Sequence, residues 1–219
     1  MTTASSETVV QTYLDVPSQP KLVLPANSCD SHVHVFGPRS RFPYAAARKN
    51  TPAEAPKEKL FALHKKLGIA RCVIVQSITH GTDNSVVEDA IEAGGGHYLG
   101  VALTEVDVSD AELKRLASRG FRAVRFHFMK HIGGGHDVND VIKLTPRLAE
   151  AGMHLQVHFE SSLVHTVGQE LLKSAVPVVI DHMGRVDATL GESHEDFQAL
   201  MKLLDHSHVH VKVSGIDRI

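Results

Sequence analysis

The chain of 219 residues has no tryptophan, only two cysteines, and no apolar run near the roughly 18 residues that a membrane-spanning helix needs. Cys29 and Cys72 cannot build the disulfide framework of a small secreted domain. The N-terminus lacks the basic start and apolar stretch of a signal peptide, so we expect a cytoplasmic protein. The formal net charge of -2 indicates neither a nucleic acid nor a membrane surface as a partner.

Histidine, by contrast, is abundant, with 16 residues in the chain. Imidazole is the commonest metal ligand in proteins, and it is also a general acid or base near neutral pH. The composition therefore indicates a chemical site without identifying its reaction.

After a polar, proline-punctuated arm at 1–26, the domain at 27–219 alternates strand-like and helix-like segments. The predicted strands are 31–36, 71–76, 97–103, 121–128, 154–160, 177–182 and 209–215. The predicted helices are 56–67, 85–93, 109–118, 138–151, 163–174 and 195–204. Ser109 followed by Glu112 is a capping-box signal for one of these helices. This alternation predicts an α/β fold with parallel strands.

A doubly wound sheet and a (β/α)₈ TIM barrel both fit the alternation. Histidines and arginines recur at the ends of several strands, where a barrel places its functional groups, and this favours the barrel. No G-x-G-x-x-G motif follows the first strand, which weakens the dinucleotide-binding alternative. Because eight βα units need about 250 residues, we expect a barrel truncated after strand seven.

The first strand carries the sharpest signal, His32 and His34 in an H-x-H pattern. Alternation places both on one face, where they could reach one ion at about 2.0–2.1 Å. His158 and His182, at the ends of the fifth and sixth strands, complete the predicted metal site. The alternative is a set of hydrogen-bonded structural histidines. We expect that simpler role for most other histidines, His64 among them.

Cationic side chains form a second group near the strand ends. Arg125 and Lys130 lie at or after strand four, and Arg185 and Arg218 follow strands six and seven. Because the arginine fork matches a carboxylate or sulfonate, these residues predict an anionic small-molecule substrate, with surface ion pairing as the alternative. His80 lies in a loop that substrate could pass.

Four motifs resemble the amidohydrolase superfamily, and within it the lactone-hydrolysing branch typified by 2-pyrone-4,6-dicarboxylate lactonase. The motifs are CDSHVHVFGP with RFPY, VIVQSITHGTDN, FRAVRFHF and VVIDHMGR. The resemblance implies a metal-dependent-hydrolase-like barrel that opens lactones in bacterial aromatic degradation. It also assigns His32, His34 and His182 to the active site and Arg125, Arg185 and Arg218 to anion binding. The family's catalytic aspartate belongs to strand eight, so we expect the chain alone to be inactive.

This chain departs from the dicarboxylate lactonase at three positions that bear on substrate. Asn50 stands where that enzyme has a tyrosine, His131 where it has an arginine, and His158 where it has a second tyrosine. That enzyme needs no divalent metal, whereas zinc-using relatives ligate with a histidine at the third position. The resemblance therefore implies Zn²⁺ held by His32, His34 and His158, with a metal-independent enzyme as the alternative.

The implied reaction is attack of a metal-activated water on a lactone carbonyl, with His182 assisting and the arginines holding the acidic groups. The altered anion pocket favours 4-sulfomuconolactone, opened to maleylacetate and sulfite, over 2-pyrone-4,6-dicarboxylate. A metal-dependent non-oxidative decarboxylase is the competing enzyme, and a metal- or carbohydrate-binding module is the non-enzymatic alternative. A homo-oligomer is compatible with the sequence.

Overall fold

The structure, a computed structural model, describes residues 8–129 and 135–216. The chain forms two compact units, Met1–Leu103 and Thr104–Ile219. In both units, parallel strands alternate with helices, as the sequence predicts. No described helix combines the length and the apolar character needed to cross a membrane.

The first unit is built around a parallel sheet. Its described strands are β1 (Val9–Val10), β2 (Cys29–Val33), β3 (Thr51–Pro52), β4 (Arg71–Val75) and β5 (Tyr98–Leu103). Its described helices are α1 (Lys57–Leu67) and α2 (Ser85–Ala93). Strands β2, β4 and β5 pair in that order, while β1 pairs separately with β3. The left-handed backbone of Gly68, with φ of 74°, ends α1 and directs the chain into β4.

The described part of the predicted arm, 8–26, lies against the first unit. The Tyr13 hydroxyl donates a hydrogen bond to the Glu54 carbonyl at 3.0 Å, and the Asp15 carboxylate lies 2.9 Å from the Lys59 amino group. Because Lys59 belongs to α1, these contacts fix the arm along that helix.

The second unit repeats the strand and helix alternation. Its described strands are β6 (Phe121–Phe128), β7 (His154–Phe159), β8 (Val178–Ile180) and β9 (Val209–Val211). Its described helices are α3 (Asp110–Ser118), α4 (Val138–Glu150), α5 (Val167–Leu171) and α6 (Glu195–Leu204). The four strands are parallel and pair in chain order.

The sheet of the second unit has one apolar face and one polar face. Phe126, Val157 and Ile180 lie side by side across three strands, and each is at most 1% exposed. Because side chains alternate along a strand, the next residues, His127 and His158, lie opposite each other on the other face. The polar face therefore carries the chemically active side chains, while the apolar face forms the core.

Four predicted elements differ from the structure by more than one residue at an end. The predicted strand 177–182 is shortened to β8, Val178–Ile180, so His182 follows the strand in a turn. The predicted strand 31–36 begins at Cys29 and ends at Val33, so His34 follows the strand rather than lying within it. The predicted helix 163–174 divides into a 3-10 turn, Ser161–His165, and the short helix α5. The sequence there holds Val164, Thr166, Val167 and Gly168, all weak helix formers. The predicted strand 209–215 is shortened to β9.

Candidate active site

A β-bulge carries the H-x-H motif in the first unit. Asp30 pairs with Cys72, but Val33 pairs with Ile74, so β2 contains one residue more than β4 across this interval. The Asp30 carboxylate accepts a hydrogen bond of 3.0 Å from the His32 N–H. Burial alone would raise the pKa of Asp30, but hydrogen bonds from His64 and from the His32 N–H outweigh that effect and lower it.

The two histidines of the motif are brought together. Their ring centroids lie 5.2 Å apart, with the rings nearly perpendicular. His34 Nδ1 lies 2.7 Å from the Val75 carbonyl oxygen, which can only accept a hydrogen bond. The hydrogen therefore sits on Nδ1, and the lone pair of the neutral ring is on Nε2. This is the arrangement that orients a metal-ligating histidine in known sites.

His80 lies in a small aromatic cluster of the first unit. Its ring stacks on Phe36 at 6.4 Å and meets Tyr44 edge-on at 4.9 Å. Its Nδ1 donates to the Pro43 carbonyl at 3.1 Å, and its buried Nε2 has no hydrogen-bond partner in the described part of the chain. Desolvation lowers the pKa of His80, so the ring is a neutral hydrogen-bond acceptor. Asn50 is exposed in the same unit.

A strained turn in the second unit carries His182 and Arg185. His182, Met183 and Arg185 have φ values of 53°, 52° and 54°, and Gly184 lies between them at 62°. Left-handed backbone at residues other than glycine costs energy and is concentrated at functional sites. The turn leaves the His182 side chain buried and Arg185 half-buried.

Two residues that the sequence did not single out hold the His182 ring. The Ser214 hydroxyl lies 3.0 Å from His182 Nδ1, within hydrogen-bond distance. A side chain on Gly215 would place its Cβ only 2.8 Å from the same nitrogen, so only glycine allows this approach. The V-S-G sequence after the seventh strand was the available signal.

His158 is buried beside His182 and has no hydrogen-bond partner for either ring nitrogen among the described residues. The two ring centroids lie 5.1 Å apart, and His127 contacts the other side of His158 at 5.5 Å. Desolvation, then the charge of Arg125, lowers the pKa of His158 to about 3. The ring is therefore neutral at physiological pH, as metal binding requires. A buried, neutral and unpartnered imidazole fits a ligand to a divalent cation.

Arg125 lies deeper on the polar face, in a buried ionic network. Its Nε and Nη2 both lie 2.7 Å from Asp181 Oδ2, and Gln156 donates to the same oxygen at 3.1 Å. Lys212 donates to Gln156 Oε1 at 2.9 Å and lies 3.7 Å from Asp181 Oδ1. The Asp181 carboxylate thus lies between two cations, Arg125 and Lys212. Sequence reasoning missed Gln156 and Lys212 because their contacts join separate strands.

Lys130, His131 and Arg218, which the sequence predicts as substrate-binding residues, lie outside the described residues. Their roles remain predictions. Among the described candidates, the structure brings His32 close to His34 and His158 close to His182.

A second group of metal-ligating side chains lies where α6 begins. Ligand atoms of His165, Glu195 and Asp196 lie within 4.8 Å of one another. His165 Nε2 is already hydrogen-bonded to Asp196 Oδ1 at 2.8 Å, and both acids stand in the first helical turn, where the helix dipole favours them. These contacts give the group a structural explanation.

Comparison with known families gives one model, described as amidohydrolase, that matches residues 29–219. The chain is 40% identical over 204 residues to a 2-pyrone-4,6-dicarboxylate hydrolase of Comamonas testosteroni, covering 93% of the chain and 67% of that protein. It is 37% identical over 200 residues to a 4-sulfomuconolactone hydrolase of Hydrogenophaga intermedia, covering 91% and 66%. The chain therefore spans about two thirds of the length of these curated relatives.

Solved structures also match this chain. One from Pseudomonas putida, which carries the name of 2-pyrone-4,6-dicarboxylic acid hydrolase, matches with a TM-score of 0.77 and 31% identity. The match covers 89% of this chain and 71% of the other. It confirms the predicted fold class, a truncated (β/α)₈ barrel.

Proposed function

The chain belongs to the amidohydrolase family, and from that membership we propose that the protein hydrolyses a small anionic lactone. The similarity to curated hydrolases of two such lactones, at 37–40% identity, carries this proposal. The polar face of the second unit supports it, because His158 lies there near the end of β7 and the family's fold gathers its active-site groups at the carboxyl ends of the strands.

The preferred substrate is 4-sulfomuconolactone, opened to maleylacetate and sulfite. Asn50, His131 and His158 all differ from the residues expected for the dicarboxylate lactonase, which supports a changed anion pocket. The arginines Arg125, Arg185 and Arg218 hold the acidic groups. The Asp181 carboxylate holds the Arg125 guanidinium in one direction on the polar face.

His32, His34 and His158 would hold a divalent cation, Zn²⁺ in our proposal. The neutral His158 and the Nδ1–H tautomer of His34 both fit that role. A bound cation would supply Lewis acidity, which acidifies a water molecule and polarises a carbonyl. A metal-independent reaction is the alternative, and it would make His158 a substrate-binding residue.

The protein's own side chains supply orientation and proton transfer. Ser214 and Gly215 fix the His182 ring, so that its Nε2 can bond to the attacking water or to the oxyanion formed at the lactone carbonyl. Hydrolysis adds one water: its oxygen bonds to the carbonyl carbon and the ring C–O bond breaks. In the sulfonated lactone the released oxygen then forms the ketone C=O of maleylacetate while the C–S bond breaks, and sulfite leaves with that bond's electron pair. The cationic groups keep the substrate's acidic groups in register during these steps.

The complete gene product should be assayed with 4-sulfomuconolactone and 2-pyrone-4,6-dicarboxylate in parallel, before and after chelation, with metal content measured on the same samples. We expect stoichiometric zinc and opening of the sulfonated lactone that stops on chelation and returns with zinc. Metal-free opening of the pyrone would instead establish the dicarboxylate lactonase alternative. Carbon dioxide release from an acid substrate, without lactone opening, would replace the proposal with the decarboxylase alternative.

A further inference from the structure

Three polar side chains form a hydrogen-bonded chain behind the H-x-H strand in the first unit. Tyr98 on β5 places its hydroxyl 2.8 Å from His64 Nδ1, and His64 Nε2 lies 3.4 Å from Asp30 Oδ2. The other carboxylate oxygen of Asp30 accepts the His32 N–H at 3.0 Å. The chain therefore joins β5, helix α1 and the bulged strand β2.

The chemistry of the three groups sets the direction of the hydrogen bonds. A carboxylate only accepts, so the His64 hydrogen is on Nε2 and points to Asp30. In the neutral ring, Nδ1 then accepts from the Tyr98 hydroxyl. His64 is 1% exposed and Tyr98 is 7% exposed, so water does not readily replace either partner.

The bulge explains why His32 needs this support. The extra residue between Asp30 and Val33 interrupts the ladder with β4. The Asp30 carboxylate satisfies the His32 N–H two residues away in an Asx-type turn. The position of this carboxylate thus fixes the local backbone, and with it the direction of the His32 side chain.

Tyr98, at the far end of these hydrogen bonds, is closely packed. A Cβ on Gly94 would lie 2.8 Å from Cβ and Cγ of Tyr98, so glycine lets the α2 terminus pack directly on this side chain. Phe61 of α1 meets the Tyr98 ring edge-on at 5.1 Å. The hydroxyl is therefore held in place from two sides.

We propose that Asp30, His64 and Tyr98 are positioning residues that fix the bulged backbone at His32, and so aim the H-x-H motif. The effect on turnover rests on the proposed lactone hydrolysis. The effect on the backbone does not depend on that function, so the backbone effect and the turnover effect can be tested separately.

Amide hydrogen exchange at His32, measured by NMR, tests the backbone effect. Removal of the Tyr98 hydroxyl in Tyr98→Phe should accelerate exchange at His32 about 2- to 5-fold, and Asp30→Ala should accelerate it about 3- to 10-fold, the range expected for one weakened or lost hydrogen bond. Asp30→Asn should stay near the wild-type rate, because its amide oxygen still accepts the His32 N–H. Tyr13→Phe is the matched control, since it removes another hydrogen-bonded hydroxyl from the same unit.

Kinetics of the same variants, made in the complete gene product, test the link to function. We expect Tyr98→Phe to lower kcat about 3- to 10-fold with little change in KM, Asp30→Asn to retain more activity than Asp30→Ala, and Tyr13→Phe to match the wild type. Unchanged exchange at His32 in both Tyr98→Phe and Asp30→Ala would overturn the proposal. If the wild type opens no lactone, the exchange measurement still decides it, because Tyr98→Phe keeps the aromatic ring and its packing.

Discussion

The imidazole of His158 is buried without a hydrogen-bond partner among the described residues. Its burial therefore lowers the free energy of unfolding unless a ligand such as a metal ion binds to the ring. In the metal-free protein we therefore expect His158→Leu to leave the free energy of unfolding unchanged or to raise it by about 1 kcal/mol. The same variant should lose most of the stabilisation that added zinc gives the wild type. Thermal unfolding with chelator and with excess zinc measures both effects.

His206→Gln is the control for that measurement, because His206 is exposed in the same unit. It should keep the full stabilisation by zinc. Equal stabilisation of His158→Leu and the wild type by zinc would show that His158 is not a ligand.

The approach of Gly215 to His182 gives a sharper prediction. Gly215 and Gly152 both have left-handed backbone, with φ of 69° and 67°, so alanine strains both by about 1 kcal/mol. Only at Gly215 would the new Cβ meet a side chain, His182 Nδ1 at 2.8 Å, because nothing lies within 4 Å at Gly152. We expect Gly215→Ala to reduce kcat at least about 10-fold and Gly152→Ala to leave it near wild type. Similar kcat values for the two variants would remove His182 from the reaction.

Some individual residues of the candidate site could be predicted from the sequence. The H-x-H spacing predicted that His32 and His34 lie together, and their rings do, although the bulge and the end of β2 at Val33 interrupt the alternation on which that prediction rested. Lys212 and Gly215 could not be recognised in the same way. Their importance lies in distances to Gln156 and His182, which depend on how strands far apart in the sequence pair.

Among the elements, helix α3 offers a direct test of a local signal. The sequence predicts a cap at Ser109, and the Ser109 hydroxyl accepts a hydrogen bond of 3.2 Å from the Glu112 N–H. We expect Ser109→Ala to lower the free energy of unfolding by about 0.5–2 kcal/mol, and Ser109→Gly by a few tenths. Urea unfolding measures both values. Equal losses in the two variants would show that the cap hydrogen bond contributes little.

The elements also show where periodicity fails. It located α3 and the apolar strand β6 because local signals and burial agree there. It predicted one helix over 163–174, where the structure has a 3-10 turn and then α5, because branched residues and Gly168 weaken the helix. Gly168 is also tightly packed, since a Cβ there would lie 2.7 Å from Leu203. The bulge in β2 has no periodic signal at all, since it is defined by pairing with β4.

For the whole molecule, the buried histidines link stability to pH. Desolvation, then the charge of Lys212, lowers the pKa of His154 to about 4, and burial lowers that of His158 to about 3. Both rings titrate near 6.5 in the unfolded chain. Between these values the unfolded state binds more protons than the folded state, so protonation favours unfolding.

In the metal-free protein these two groups should therefore not reduce the free energy of unfolding above about pH 6.5. The free energy of unfolding should fall as the pH is lowered from 6.5 towards 4. His154 alone accounts for up to about 3 kcal/mol over this window, an upper bound because the ring is half-buried. His154→Gln cannot titrate, so its free energy of unfolding should fall less steeply between pH 6.5 and 4. Urea unfolding of the wild type and the variant at half-unit pH steps, with chelator present, measures the difference. If the two curves stay parallel, His154 is protonated equally in the folded and unfolded states, and its burial does not control the acid sensitivity of the fold.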